Sequence, residues 1–230
     1  MTADPPIDLS AIDSSGALAE ARERAERHTR AELLRRAGVA AMGVALLGPV
    51  AAAAGAGTSA GDVDILNYAL TLEYLQANFY TQAERSGALH GQPASTAGTI
   101  GAVERAHVAA FRKLLGRAAV SRPSFDFQGV TENQDAFIRT AVAFEDLAVA
   151  AYKGQLPLIR SPQVVAGALS IHSVEARHAA WIRYLAGVQP ASEALDAPMS
   201  RAQTERLVAS THFIVTRPRT RGTTRPRFTG

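Results

Sequence analysis

The chain has no cysteine. Disulfides, zinc–thiolate sites, iron–sulfur clusters and cysteine nucleophiles are therefore excluded, and any metal must be held by oxygen and imidazole nitrogen. Aromatic residues are scarce, 6% with a single tryptophan. Alternating apolar–polar runs, the signature of half-buried strands, are missing, so no β-structure is expected. Acid is missing from the last stretch, RPRTRGTTRPRFTG (217–230), which carries five arginines. Between 57 and 216 the balance is even, 13 Lys/Arg against 14 Asp/Glu. The net charge of +3 thus resides in a Pro/Gly/Thr-rich tail of disordered composition rather than on a folded face, and no nucleic-acid partner is expected.

A chain of 230 residues can bury one sizeable core, with appendages. Charge is also absent from AGVAAMGVALLGPVAAAAGAG, Ala37 to Gly57. This run follows Arg35-Arg36 and ends in small residues such as Ala54-Gly55-Ala56, the three parts of an export signal. It is poor in large apolar residues and contains Pro49, so it is weak as a membrane span; a membrane anchor is expected only if the leader stays uncleaved. Thr29-Arg30-Ala31-Glu32-Leu33-Leu34-Arg35 resembles a twin-arginine export signal, with Ala31 where the second arginine belongs. The domain reading is an export leader over 1–57, a helical bundle over 58–190, an extension with a short helix over 191–216, and the Arg-rich tail over 217–230.

What is present is long helical periodicity. The pattern predicts a first helix capped at Asp62 or Asp64 and running to Arg85, then a second from Thr96 to Leu115. A third is expected from Glu132 to Lys153, and a fourth from Ser161-Pro162 to Ala186. A short helix over 199–210 completes the set. At 1.5 Å per residue such helices run about 30–37 Å, and a four-helix bundle is the natural way to bury their apolar stripes. The first and third connections are short. The middle one, over 117–131, is long enough to cross the whole bundle, since about 15 extended residues reach roughly 50 Å.

A repeat carries the chemistry. LTLEYLQANFY, with Glu73 and Tyr80, is followed by Val103-Glu104-x-x-His107. VAFEDLAVAAY, with Glu145 and Tyr152, is followed by Val174-Glu175-x-x-His178. From lone Glu to paired Glu is 31 residues in the first half and 30 in the second. Positions i and i+3 lie on neighbouring faces of a helix, so each Glu–His pair can reach one ion. Four carboxylates in an apolar interior are prohibitive unless cations balance them. The pattern points to two divalent metals held by Glu73, Glu104, His107, Glu145, Glu175 and His178. Iron or manganese suits the oxygen/nitrogen set, with zinc as a rival. The competing reading is an ancestral bundle whose acids are satisfied by arginine or water. Tyr80 and Tyr152 are read as core tyrosines that could also hydrogen-bond the ligands or act as redox residues. His172 is read as a surface or satisfied core histidine, and Trp181 as core.

Residues 62–187 resemble the bacterial ferritin-like domain family, an often exported type related to plant desiccation-related proteins. The resemblance rests on DILNYALTLEYLQANFY, VERAHVAAFRKLLG, PSFDF, FEDLAVAAYKG and SIHSVEARHAAWIRYLAG. It implies an all-α, ferritin-like four-helix bundle with a long middle crossover and a di-metal centre, and it brings no substrate with it. Three functions compete: redox chemistry on O₂ or peroxide in the cell envelope, as a ferroxidase- or catalase-like oxidoreductase serving stress protection; iron oxidation and storage; and a non-catalytic envelope protein stapled by metal. A homo-oligomer is compatible with each.

Overall fold

The computed structural model describes residues 59–215. These fall within the second of two compact units, Val44–Gly230; the first, Met1–Gly43, lies outside the described residues. The expectations for the export leader and the arginine tail also fall outside them.

Four long helices form two hairpins: α1 (Ala60–Ser86) with α2 (Gly91–Leu115), and α3 (Gln134–Gln155) with α4 (Pro162–Leu185). A short helix, α5 (Arg201–Thr211), follows. Helices α1 and α3 are neighbours, as are α2 and α4. The α1–α3 pair is antiparallel: Tyr80 reaches Glu145 while Tyr152 reaches Glu73. The segment 116–133 must therefore cross the bundle lengthwise. It begins beside the start of α1, where Asn67 bonds Ala118 and Val120, and ends beside its finish, where the Ser86 hydroxyl donates to the Thr131 carbonyl. The chain is an all-α bundle with a long middle crossover.

Local chemistry sets the boundaries, and several differ from expectation. Ser59, not an aspartate, caps α1 by accepting from the Asp62 N–H at 3.1 Å. Asp62 is instead buried and accepts from the backbone N–H of Arg160 and Ser161, tying the start of α1 to the α3–α4 turn. Helix α2 begins at Gly91 rather than near Thr96, and Asn133 caps α3. Gly154 lies inside α3 instead of ending it. A Cβ there would stand 1.9 Å from the Met199 carbonyl oxygen, so glycine is needed for close approach of the C-terminal extension. Ser200 and Gln203 form a reciprocal capping box at α5. One small piece of β-structure exists after all: β1 (Ser124–Phe125) pairs antiparallel with β2 (Ile214–Val215), pinning the end of the extension to the crossover.

The few aromatics are concentrated. Phe79 stacks on Phe137 at 5.0 Å and meets Tyr80, Phe127 and Phe144 edge-on. On α2 and α4 the apolar core divides at the Glu–His level. Ala97, Ile100 and Ile182 belong to one cluster, and Phe111, Leu115, Val164 and Ile171 to the other. Trp181 is not core: it is 38% exposed on the outer side of α4, because the inward positions of that turn go to His178 and Ile182. Among the described residues no helix is long and apolar enough to cross a membrane.

Candidate metal centre

The helix register brings all six predicted residues to one buried level. Glu73, Glu104, Glu145 and Glu175 are each 0% exposed, and His107 and His178 are buried beside them. Each hairpin supplies one lone Glu and one Glu–His pair, and the lone glutamates come from the adjacent α1 and α3. The imidazoles turn Nδ1 inward. His107 Nδ1 lies 3.3 Å from Glu73 Oε2, 3.6 Å from Glu104 Oε2 and 3.1 Å from Glu175 Oε1. His178 Nδ1 lies 2.8 Å from Glu104 Oε1 and 3.8 Å from Glu145 Oε2. Each histidine thus touches a glutamate of the other hairpin.

Two overlapping four-residue groups place one ligand atom from each member within 4.8 Å of one another. One is Glu73, Glu104, His107 and Glu175; the other is Glu104, Glu145, Glu175 and His178. Glu104 and Glu175 belong to both, so they are the carboxylates able to bridge two ions. Glu73 and Glu145 belong to one each. This division was not legible in the sequence, where the four glutamates differed only in having a histidine partner or not.

Whether the residues fit metal can be judged from their unmet bonding. Glu73 Oε2, both oxygens of Glu104 and Glu175, and both Nδ1 atoms are buried without a hydrogen-bond partner. Seven orphaned ligand atoms at one level would be costly in a finished core. Among the described residues no arginine or lysine pairs with any of the four acids, which removes the arginine-satisfied alternative. Two imidazoles cannot balance four carboxylates. Two divalent cations can, and the oxygen/nitrogen donor set suits iron or manganese.

The tyrosines are arranged differently from the sequence pairing. Each lone Glu has a Tyr seven residues later, but the hydrogen bonds cross between hairpins. The Tyr80 hydroxyl of α1 donates to Glu145 Oε1 of α3 at 2.5 Å, and that of Tyr152 on α3 donates to Glu73 Oε1 on α1. Antiparallel packing of α1 on α3 causes this. Two turns along one helix carry its Tyr past the neighbour's Glu rather than back to its own. Sequence reasoning missed Gln76, buried one turn beyond Glu73, whose Nε2 donates to Glu145 Oε2 at 3.2 Å. Its counterpart on α3 is Ala148. His172 is half-buried and its Nε2 has no partner, yet it belongs to neither ligand group.

Electrostatics follow from burial. Desolvation, with Glu104 and Glu175 close by, pushes the Glu145 carboxyl well above the usual 4.5. Glu73 is raised by burial too, opposed by His107. Burial pulls His107 down, but Glu73, Glu104 and Glu175 outweigh it and lift the imidazole well above 6.5. Burial and the neighbouring carboxylate hold both tyrosines well above 10, as neutral donors. Without cations, the cluster retains protons that metal would displace.

The resemblance noted in the sequence extends to a family comparison. Residues 61–188 match the family model of the ferritin-like domain. No curated protein matches the chain. The matched stretch spans both hairpins and all six buried ligand candidates, and over more than half its length the chain belongs to the ferritin-like domain family.

Proposed function

We propose that the bundle holds two iron or manganese ions and carries out redox chemistry on dioxygen or peroxide. The observation that carries this is the set of seven orphaned ligand atoms divided between two groups that share Glu104 and Glu175. Ions held by the two groups that share Glu104 and Glu175 would supply a two-electron change, which is what reduction of dioxygen to peroxide, or of peroxide to water, requires. The chain's own part is to fix the ligands from four helices, to keep bulk water from the carboxylates, and to hold protons at Tyr80 and Tyr152 against the two terminal acids.

The test has two stages. Elemental analysis of the purified protein should give two irons or manganeses per chain. Protein loaded with Fe(II) or Mn(II) should then turn over peroxide; Glu104→Gln should abolish both metal retention and turnover, and His178→Ala should abolish turnover with loss of one metal. Turnover that survives both substitutions sinks the redox reading.

A second reading has its own support. The four carboxylates are completely buried, which suits ions that only staple the bundle. It predicts that chelation lowers the melting temperature strongly while no turnover is found. An iron-storage cage predicts a large assembly on size-exclusion chromatography, and a monomer or dimer counts against it. We further propose that the protein acts in the cell envelope. The support is the charge-free run 37–57 behind Arg35-Arg36; recovery of the protein from the cytoplasmic fraction with its leader intact would refute export.

A further inference from the structure

The outer seam of the first hairpin is an open, basic groove. It encloses about 980 Å³ between α1, α2 and the start of the crossover, and its lining includes Arg85, Arg105, Arg112, Lys113 and Arg122. Among the described residues no acid lines it. The acid nearest by bonding is Glu84, committed to Arg105 at 2.9 Å. Arg85, Arg112 and Lys113 have no ion-pair partner among the described residues. The wall is preformed: Asn67 fixes residues 118 and 120 of the crossover, and Asn78 accepts from Arg122 Nη1 at 3.3 Å. The Arg105 guanidinium is held by both Thr81 and Glu84.

The corresponding seam of the second hairpin is not open. The register that sets Glu73 on Glu145 and Glu104 on Glu175 sets the groove's Tyr74, Asn78, Gln82 and Arg112 on Asp146, Ala150, Gly154 and Arg183. All four of these are engaged within the chain. Arg183 forks onto Asp146 and donates to Gln189 and Ser192 of the extension. The Met199 N–H donates to the Ala150 carbonyl at 2.9 Å, and its carbonyl packs on Gly154. Among the described residues one seam is thus covered by the protein itself and neutralised, whereas its pseudo-symmetric twin is concave and positive.

We propose that the α1–α2 groove binds an elongated polyanion bearing phosphate or sulfate groups. Arginine forks match such groups bidentately, and four of the five cations are arginines. From Tyr74 to Arg85 the groove follows α1 for about 16 Å at 1.5 Å per residue, which suits several anionic groups in a row rather than one. Among the described residues its one aromatic lining residue, Tyr74, is 4% exposed, so they offer no platform for stacking nucleic-acid bases. A concave groove whose cations follow one helix suits the anionic groups of a soluble chain rather than the flat surface of a membrane.

The experiment uses the full-length, metal-loaded protein and two probes. One is a sulfated heparin hexasaccharide, which spares the metals a phosphate chelator; the other is vesicles of phosphatidylcholine and phosphatidylglycerol in a ratio of about 3:1. Calorimetry should show hexasaccharide binding that weakens at least about tenfold between roughly 50 and 200 mM salt. Arg85→Gln/Arg112→Gln/Arg122→Gln should cost at least about tenfold more, with Arg→Lys at the same positions recovering part of it. Metal content and melting temperature should not change, because these side chains are exposed and outside the ligand groups. Replacing Arg217, Arg219, Arg221, Arg225 and Arg227 with Gln should leave affinity within about threefold. Groove-dependent binding of the hexasaccharide, with or without vesicle binding, supports the proposal; groove-dependent binding to vesicles alone overturns it in favour of a membrane surface. Binding lost with the tail arginines but not with the groove arginines, or no binding of either probe, overturns the proposal.

Discussion

In α1–α2 the lone glutamate, Glu73, accepts one hydrogen bond, from Tyr152; in α3–α4 its counterpart, Glu145, accepts two, from Tyr80 and Gln76. The outer seam of α1–α2 is open and basic, while that of α3–α4 is closed by the extension. The ligand types are the same and their spacing nearly so, but the surroundings differ: the buried level is nearly twofold symmetric, with two ligand groups that share Glu104 and Glu175. Away from it, nothing enforces symmetry. The single middle crossover and the single C-terminal extension each contact the halves unequally.

The sharpest break of the comparison concerns the shared acids. Glu104 and Glu175 belong to both ligand groups, so Glu104→Gln or Glu175→Gln is expected to remove both metals, whereas Glu73→Gln or Glu145→Gln removes one. Metal-to-chain ratios measured after equal dialysis decide it, and a ratio near one for Glu104→Gln would refute the bridging role.

Metal removal comes next. In the metal-free protein, Glu73, Glu145 and His107 all hold protons more tightly folded than unfolded. Their contribution to stability is therefore lost as pH rises, from about 4.5 upward for the acids and about 6.5 upward for the histidine. Ions do the reverse, displacing those protons and binding better as pH rises. The melting temperature of chelated protein should fall between pH 5 and pH 8 while the stabilisation added by metal grows. Parallel pH profiles with and without metal would contradict this.

The crossed tyrosines give a smaller and more specific effect. Tyr152→Phe, a change on the second hairpin, should weaken the ion held by Glu73 and His107 of the first. A hydrogen bond to a charged group is worth about 1.5–3 kcal/mol, so a weakening of at least about tenfold is expected. Tyr80→Phe should do the same to the ion at Glu145 and His178. Titration calorimetry showing the loss at the tyrosine's own hairpin would reverse the assignment.

The least effect belongs to Gln76, the side chain that makes the halves unequal. Glu73 presents a free oxygen, while both Glu145 oxygens already accept hydrogen bonds. The Glu73 position should fill first. Gln76→Leu, which makes α1 match the apolar Ala148 of α3, should bring the two binding steps within a few-fold of each other. Steps that stay as far apart as in the parent protein would show that the inequality arises elsewhere.

Much of this was legible in the sequence because it depends on spacing along single helices. Helical periodicity gave the four long elements, Ser161-Pro162 gave the start of α4, and Glu104-x-x-His107 with Glu175-x-x-His178 put carboxylate and imidazole on one face. The helix starts were less legible. The cap of α1 fell to Ser59 because Asp62 is drawn to the α3–α4 turn, a contact 98 residues away.

Spacing along the chain is enough to set the four bundle helices and the meeting of six ligand candidates, because these follow from the 3.6-residue turn and from having to bury four acids together. Which acids are shared, which tyrosine serves which glutamate, and where the charge gathers emerge only when the helices pack. Charge counted along 57–216 balances and hides a positive face. The groove exists because Arg85, Arg105, Arg112, Lys113 and Arg122 come from three segments that folding lays side by side, with Glu84 the one acid paired to them among the described residues. Orientation between helices, antiparallel for α1 and α3, is a property of packing, and one-dimensional spacing carries no record of it.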